Sequence, residues 1–474
     1  MIGRARALRF AIAAAVVATV LVGIAMWRAA GPAPARNVVI ITLDTTRADR
    51  LSPYGFMNVS LPHIERLARE GVVFDQAQTV APLTLTAHSS LFTGLFPPRH
   101  GVRDNADRAL APGHTTLAEW LQARAFRTAA FVGSIVLDKD RGLAQGFDEY
   151  RGVTPSSDPG PGGRQRRADE VVGEAIRWLD SDRADSPFLL WAHLFDPHRP
   201  YNPPEPYSTR YAHNLYVGEI AFADEQIGVL LDVLERTNRL DDTVVVLVGD
   251  HGESLGAHGE RDHGIFVYED VLRVPLIVRA PGITPGRVGD LVRLTDLVPT
   301  LLELLRQPAM ATDGISLAGV MRGGPAPQVT AYAESFYPGR LGWSPLRAVR
   351  DRRYKFIDAP RPELYDLQDD PAEEHNLYET RRALAATLAE QLDMIGRAGP
   401  TDARAADGQP ISRDLASQLA ALGYLGSAAP RRDGAGQLPD PKDCMRGPSA
   451  PAIVPPECGP RRPMEEMLFY TRAR

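Results

Sequence analysis

The chain has 474 residues, 44% of them hydrophobic and 24% charged, enough for one large domain with additions or for two or three smaller ones. A formal net charge of −6 and the lack of any long Lys/Arg run exclude an electrostatic footprint for nucleic acid. At the N-terminus Arg4, Arg6 and Arg9 precede an uncharged stretch from Phe10 to Trp27, followed by Arg28 and the small-residue run GPAPA that ends at Ala35. Charge followed by an apolar stretch is the pattern of a secretory signal or a single membrane anchor. The apolar stretch is long for a signal peptide and just sufficient to span a bilayer. The expectation is an uncleaved anchor over residues 1–35 with an exported body, periplasmic or extracellular. Cleavage after Ala35 would make the body secreted.

From Asn37 to about residue 305, apolar runs rich in β-branched residues alternate with helical periodicity, as expected of a parallel sheet covered by helices. The predicted strands are VVIITL (38–43), TAAFVG (128–133), PFLLWAHL (187–194), TVVVLVG (243–249) and VPLIVRAP (274–281). Their continuous apolar character suits burial on both faces. Between them, LPHIERLAREG reads as a helix closing on Gly71, and ADEQIGVLLDVLERT as one beginning at Ala223. Residues 154–163 (TPSSDPGPGG) read as a surface loop. The segment 400–440 is rich in Ala, Gly, Pro and Asp, with one helix-like stretch, LASQLAALGYLG, and the residues after it are expected to be extended or disordered. Cys444 and Cys458 lie in that tail, far from every other motif. They could pair in an oxidising compartment, and neither a catalytic nor a zinc-binding role is expected of them.

Three predicted strands stop at residues able to bind a metal or an anion. VVIITL runs into Asp44, PFLLWAHL into Asp196-Pro197-His198, and TVVVLVG into Asp250-His251-Gly252. In open parallel sheets ligands bind beyond the carboxyl ends of the strands, where loops converge and helix N-termini point. A fourth piece fits there. Pro82 breaks the chain and TLTAHSSLFTG reads as a helix ending at Gly94, with Thr84 at or near its N-terminus, where an anion or a threonine oxyanion is favoured. Taken alone, Thr84 would be read as a helix N-cap.

The ordered motifs LDTTRADRLSPYG, APLTLTAHSSLFTGLFPPRHGVRDN, HLFDPHRPYNPPEPY, GDHGESLGAHGERDHGIFVYEDVLRVPLIVRAPG and ELYDLQDDPAEEHNL, over roughly residues 36–380, resemble the sulfatase family of the alkaline phosphatase superfamily. The resemblance implies an α/β sandwich built on a large, mostly parallel sheet flanked by helices, plus a smaller domain with a short antiparallel sheet. That smaller part would hold YAESFYPG, LRAVRDRRYKFI and ELYDLQDDP. The expected organisation is a catalytic domain over 36–325, a C-terminal subdomain over 326–400 and a tail over 401–474.

In sulfatases the nucleophile lies in C-x-P-S-R before a helix ending in T-G, and its Cys or Ser is oxidised to formylglycine. Counting back from Thr93-Gly94 puts Thr84 at the nucleophile position, Thr86 at the proline, Ala87 at the serine and His88 at the arginine. Oxidation of a secondary alcohol gives a ketone rather than an aldehyde, so the formylglycine route is not expected. Threonine occupies this position in phosphodiesterases, some phosphatases and phosphoethanolamine transferases similar to this chain. The resemblance therefore implies a metal-held threonine that attacks sulfur or phosphorus directly and forms a covalent intermediate.

By the same resemblance Asp44, Thr84, Asp250 and His251 would bind one divalent cation. Hard oxygens with one imidazole suit Zn²⁺ or Mn²⁺, whereas the replacement of an Asp by Thr45 disfavours Ca²⁺. His198 and His263 would contact the transferring group or a second metal. His88 and Asn105 are candidates for substrate binding, with an imidazole satisfied inside its helix and a loop cap as their plainer readings. His193 reads as a core histidine, and Arg47 and Arg99 as ion-pair partners. The expected activity is hydrolysis of a sulfate, phosphate or phosphonate ester on a small molecule, glycan or lipid. The alternative is transfer of a phospho-group, of the phosphoethanolamine type, to a membrane lipid or glycan.

Overall fold

The computed structural model describes residues 35–106, 108–153, 165–181, 186–399, 438–445 and Cys458. The expected N-terminal anchor, the loop 154–163 and the stretch LASQLAALGYLG lie outside those residues. Among the described residues, no helix is long and apolar enough to cross a membrane.

An eight-stranded sheet organises the chain in the order β4-β3-β5-β1-β6-β7-β2-β8. Its centre is β1 (Asn37–Leu43), which pairs in parallel with β5 (Phe188–Leu194) on one side and β6 (Thr243–Gly249) on the other. All three are buried throughout, as their unbroken apolar sequences require. Outward from β5 lie β3 (Arg127–Val132) and the short β4 (Glu149–Arg151); outward from β6 lie β7 (Arg273–Arg279), β2 (Val72–Gln78) and β8 (Gly286–Arg293).

The five predicted strands are all present. However, β7 runs antiparallel to both β6 and β2. The segment between β6 and β7 contains no crossover helix, and a strand that returns without one must reverse direction. The mixed, mostly parallel sheet is the one the family resemblance implied. Strands β2, β4 and β8 were not predicted: β4 is only three residues long, and β8 is an edge strand carrying two glycines and three charges.

Helices α1 (Pro62–Glu70), α4 (Ala168–Leu179) and α5 (Leu215–Arg236) cover one face of the sheet. Helices α2 (Thr84–Thr93), α3 (Leu117–Gln122) and α6 (Leu297–Leu304) cover the other. The result is a three-layer α/β/α sandwich. Helix α5 begins eight residues earlier than predicted. Asn214 caps it by accepting the Val217 N–H, and its first turns bury Tyr216, Val217 and Ile220.

A separate antiparallel sheet, β12-β11-β10-β9, is formed by β9 (Ala331–Ser335), β10 (Leu346–Arg350), β11 (Tyr354–Asp358) and β12 (Glu363–Asp366). Tyr332, Val349, Phe356 and Leu364 on one face join the main core together with α7 (Arg382–Gly396), while Ala333, Ala348, Ile357 and Tyr365 pack in a satellite core.

The tail departs from the expected extended state at 438–445. A short helical turn, Pro441–Cys444, docks on the small sheet: Asp440 accepts the Arg361 N–H, Lys442 pairs with Glu363 at 2.6 Å, and Met445 is buried. Cys444 and Cys458 form a disulfide.

Candidate active site and metal centre

Because β5, β1 and β6 are adjacent and parallel, their carboxyl ends deliver Asp196-Pro197-His198, Asp44 and Asp250-His251 to one edge of the sheet. The turn after β1 is tight. Thr45 takes a positive φ of 47°, an uncommon conformation for a β-branched residue. Its carbonyl accepts from Tyr216 Oη at 2.8 Å and its hydroxyl donates to the Pro197 carbonyl at 3.0 Å. The Thr45 hydroxyl hydrogen is thereby committed to the backbone.

Ligand atoms of Asp44, Asp250 and His251 lie within 4.8 Å of one another, and all three residues are fully buried. Asp250 Oδ1 accepts backbone N–H groups from His251 (2.7 Å) and Thr45 (3.3 Å), which turns Oδ2 toward the cluster. His251 Nδ1 sits 3.0 Å from the Gly252 carbonyl and must carry the hydrogen there, so Nε2 presents its lone pair. That lone pair is 3.6 Å from both Asp44 Oδ1 and Asp250 Oδ2, and 3.2 Å from Thr84 Oγ1.

Both Asp44 oxygens and Asp250 Oδ2 are buried without a hydrogen-bond partner. Unpaired buried carboxylates are costly and call for a proton or a cation. In the protein alone burial pushes the Asp250 carboxyl well above the carboxylate range, and the nearby Asp44 pushes it further. Burial also raises Asp44, opposed by the fields of His198 and His263. His251 is driven well below the ordinary histidine value by burial and by His263, so its lone pair is available. Two oxyanions, one imidazole lone pair and one hydroxyl converging on a dry point fit a divalent cation.

Thr84 is the first residue of α2. The helix is preceded by Leu83, which contributes no side-chain cap, and it closes on Gly94 at φ 68°. The N-cap reading of Thr84 therefore fails: its hydroxyl faces His251 while the helix end is satisfied by another residue. Asn105 Oδ1 accepts the Leu85 N–H at 2.9 Å. Asn105 is fully buried, and its Nδ2 has no hydrogen-bond partner.

His263 and His198 border the same cluster. The His263 ring lies 4.5 Å from that of His251 and 5.2 Å from that of His198. Glu253 accepts His263 Nδ1 and Tyr201 Oη, both at 3.0 Å. The His198 Nδ1–H donates to the Arg199 carbonyl at 2.6 Å, and burial lowers its ring to about 4. Asp196 points elsewhere: Oδ2 accepts the Ala168 N–H at the start of α4. His88 lies in the interior behind Thr84. Its Nδ1 donates to the Thr84 carbonyl at 2.8 Å and its Nε2 lies 3.2 Å from Thr42 Oγ1, the arrangement of an imidazole satisfied within the fold. Arg47 is tied to Asp49 and Asp270, and Arg99 to Asp313.

Sequence reasoning set His193 aside and passed over Glu253 and Thr42. His193 Nε2 stands 3.3 Å from Asp44 Oδ2. Strand register carried the signal for it: Thr42 lies on β1 two residues before Asp44, and His193 is the register partner of Thr42 on β5.

A model of the sulfatase family matches residues 36–307, and a model of the N-sulphoglucosamine sulphohydrolase C-terminal region matches residues 256–397. The chain is similar to the choline-sulfatase of Rhizobium meliloti, with 28% identity over 457 residues, 78% of this chain and 88% of that protein. It is similar also to the ulvan-active sulfatase of Formosa agariphila, with 27% identity over 420 residues, 76% of this chain and 81% of that protein. In fold it resembles the phosphonate monoester hydrolase of Agrobacterium radiobacter, with a TM-score of 0.63 at 23% identity over 77% of this chain and 95% of that one. The segment matched by the first model contains every residue of the buried cluster, and the chain belongs to the sulfatase family of ester hydrolases.

Proposed function

We propose that the protein cleaves a sulfate, phosphate or phosphonate ester through a covalent intermediate on unmodified Thr84, with Asp44, Thr84, Asp250 and His251 holding one Zn²⁺ or Mn²⁺ ion. The observation that carries the reading is the set of unpartnered buried oxygens of Asp44 and Asp250 around His251 Nε2, with the Thr84 hydroxyl 3.2 Å from that nitrogen. A divalent cation bound there supplies the positive charge that makes a Thr84 oxyanion accessible near neutral pH.

Thr84 Oγ forms the new bond to sulfur or phosphorus as the ester oxygen departs. The proton lost by Thr84 is matched by the one gained by the leaving alcohol, relayed through Nε2 of His263 or His198. Glu253 fixes the His263 ring by accepting its Nδ1–H, which leaves Nε2 as the working atom. Water then attacks the intermediate, and the reverse proton movement frees Thr84. The first residue of α2 is a favourable place for negative charge. In this reading Asn105 holds the helix end rigid through Leu85 and offers Nδ2 to the substrate oxyanion, while His88 fixes the Thr84 backbone.

The substrate is a small-molecule, glycan or lipid ester, met outside the cytoplasm by a body that residues 1–35 hold at a membrane. A panel of aryl sulfate, phosphate monoester, phosphate diester and phosphonate monoester, assayed with the enzyme expressed without any formylglycine-generating partner, tests the reading. Turnover of one of these classes that disappears with chelator is the expected result. Activity that depends on the maturation partner would refute it.

A further inference from the structure

Two loops that meet beside the cation site are tied to each other by side chains, and each carries one of the candidate relay histidines. The loop after β5 presents His198 and, next to it, Arg199; the loop after β6 presents His263 and, just before it, Asp262. The two imidazole rings are 5.2 Å apart and inclined at 75°. Arg199 Nη1 lies 2.7 Å from Asp262 Oδ1, and the Arg199 carbonyl accepts the His198 Nδ1–H at 2.6 Å. Asp262 is fastened within its own loop, where its carbonyl accepts the Ser254 N–H at 2.8 Å. A second link runs alongside: Tyr201 Oη and His263 Nδ1 each lie 3.0 Å from one oxygen of the fully buried Glu253.

The two links hold different things. The Glu253 link grips the His263 ring but reaches the other loop only at Tyr201, three residues past His198. Arg199 grips both sides: its carbonyl holds the His198 imidazole and its guanidinium holds the chain neighbour of His263. One residue therefore spans from one imidazole to the base of the other. The Arg199 and Asp262 side chains are 22% and 37% exposed, and an ion pair that open to water contributes little to stability. Its leverage is geometric. A relay needs both imidazoles at a fixed distance from the same transferred oxygen, and a displacement of about 1 Å costs as much as 100-fold in rate.

We propose that Arg199 and Asp262 are positioning residues for the ester-cleaving reaction: their ion pair sets the gap between His198 and His263, and with it the place the reacting oxygens occupy between the two rings. Neither side chain has to touch the substrate for this. The inference rests on the reading of His198 and His263 as the groups that relay the proton.

The test is steady-state kinetics of the full-length protein loaded with Zn²⁺, on 4-nitrophenyl sulfate and 4-nitrophenyl phenylphosphonate, beside the melting temperature. Arg199→Ala and Asp262→Ala should each lower kcat by about 10-fold with a much smaller change in KM, since the Glu253 link still holds His263. The double variant should be no slower than either single one, Arg199→Lys should recover part of the rate, and the melting temperatures should stay near that of the wild type. Additive losses, or a lowered melting temperature with unchanged kcat, overturn the proposal. So does a raised KM in Arg199→Ala with none in Asp262→Ala, the pattern of an arginine that reads an anionic group of the substrate. Loss of rate in His198→Ala and His263→Ala with none in Arg199→Ala overturns the bridge alone; a wild-type rate in both histidine variants overturns the relay and the bridge with it. The gap itself is read from crystal structures of the wild type and Arg199→Ala. The ring separation should widen by about 1 Å in the variant, and an unchanged separation overturns the proposal whatever the kinetics.

Discussion

Replacing Asp250 with Asn tests the buried carboxylate pair by stability rather than activity. In the metal-free protein Asp44 and Asp250 lie in one dry cluster with three unpartnered oxygens between them. Their carboxyls are held above the ordinary range, chiefly by burial, so the folded protein binds protons more tightly than the unfolded chain. The sign follows: their contribution to stability is present below the unfolded value of about 4 and is lost as pH rises through the raised folded values.

A cation bound at a thousand times its dissociation constant stabilises the native state by about 4 kcal/mol. Unfolding entropy near 2.1 cal/mol/K per residue over 36–399 translates this into about 5 °C in melting temperature. Differential scanning fluorimetry at pH 8, with Zn²⁺ or with chelator, should show this shift for the wild type and none for Asp250→Asn. In chelator, Asp250→Asn should melt at or above the wild type, because one buried negative charge has been removed. The metal-induced shift should shrink between pH 8 and pH 5 as protons compete for the same oxygens. An equal shift in Asp250→Asn, or a metal-free variant that melts far below the metal-free wild type, would refute the reasoning.

Thr84→Ala should lose roughly a thousandfold or more in kcat while retaining its metal-induced melting shift, and Thr84→Ser should keep part of the rate; steady-state kinetics beside fluorimetry checks both. Asn105→Ala should destabilise the fold by about 1–3 kcal/mol through the buried Leu85 N–H it leaves unpaired, as denaturant titration will show. Glu253→Gln should reduce kcat more than it raises KM, because the His263 ring loses its carboxyl partner; a change confined to KM would place His263 outside the chemistry. In fractionated cells the full-length protein should sediment with membranes and be cleaved by external protease, whereas a cytoplasmic soluble product would exclude the anchor.

The three central strands could be read because each is buried on both faces and therefore apolar without interruption; Asp44 and Asp250, directly after a buried run, and His198, four residues past the end of β5, were read for the same reason. Helix α2 and its closure at Gly94 were equally visible, since a glycine at positive φ leaves a sequence mark. The direction of β7 was not, because strand direction depends on connections that apolar runs do not encode. Neither was β8, whose edge position tolerates glycine and charge. Within the site, hydroxyl and imidazole partners depended on register. Thr42, His193 and Trp191 are ordinary strand residues until β1 and β5 are aligned, when they prove to share one hydrogen-bonded hub. The plain N-cap reading of Thr84 could not be corrected from local sequence, because the acceptor at the helix start is Asn105 Oδ1, supplied from twenty residues beyond Leu85.

The central claim, that an unmodified threonine is the nucleophile, is tested most directly by mass spectrometry of the enzyme quenched during turnover of a slow ester. Peptide mapping should place a sulfo or phosphoryl adduct on Thr84 of the peptide that carries TLTAHSS, with no oxidised residue at that position in the resting enzyme. An adduct on Ser89 or Ser90, or a resting Thr84 lighter by two hydrogens, would contradict the account.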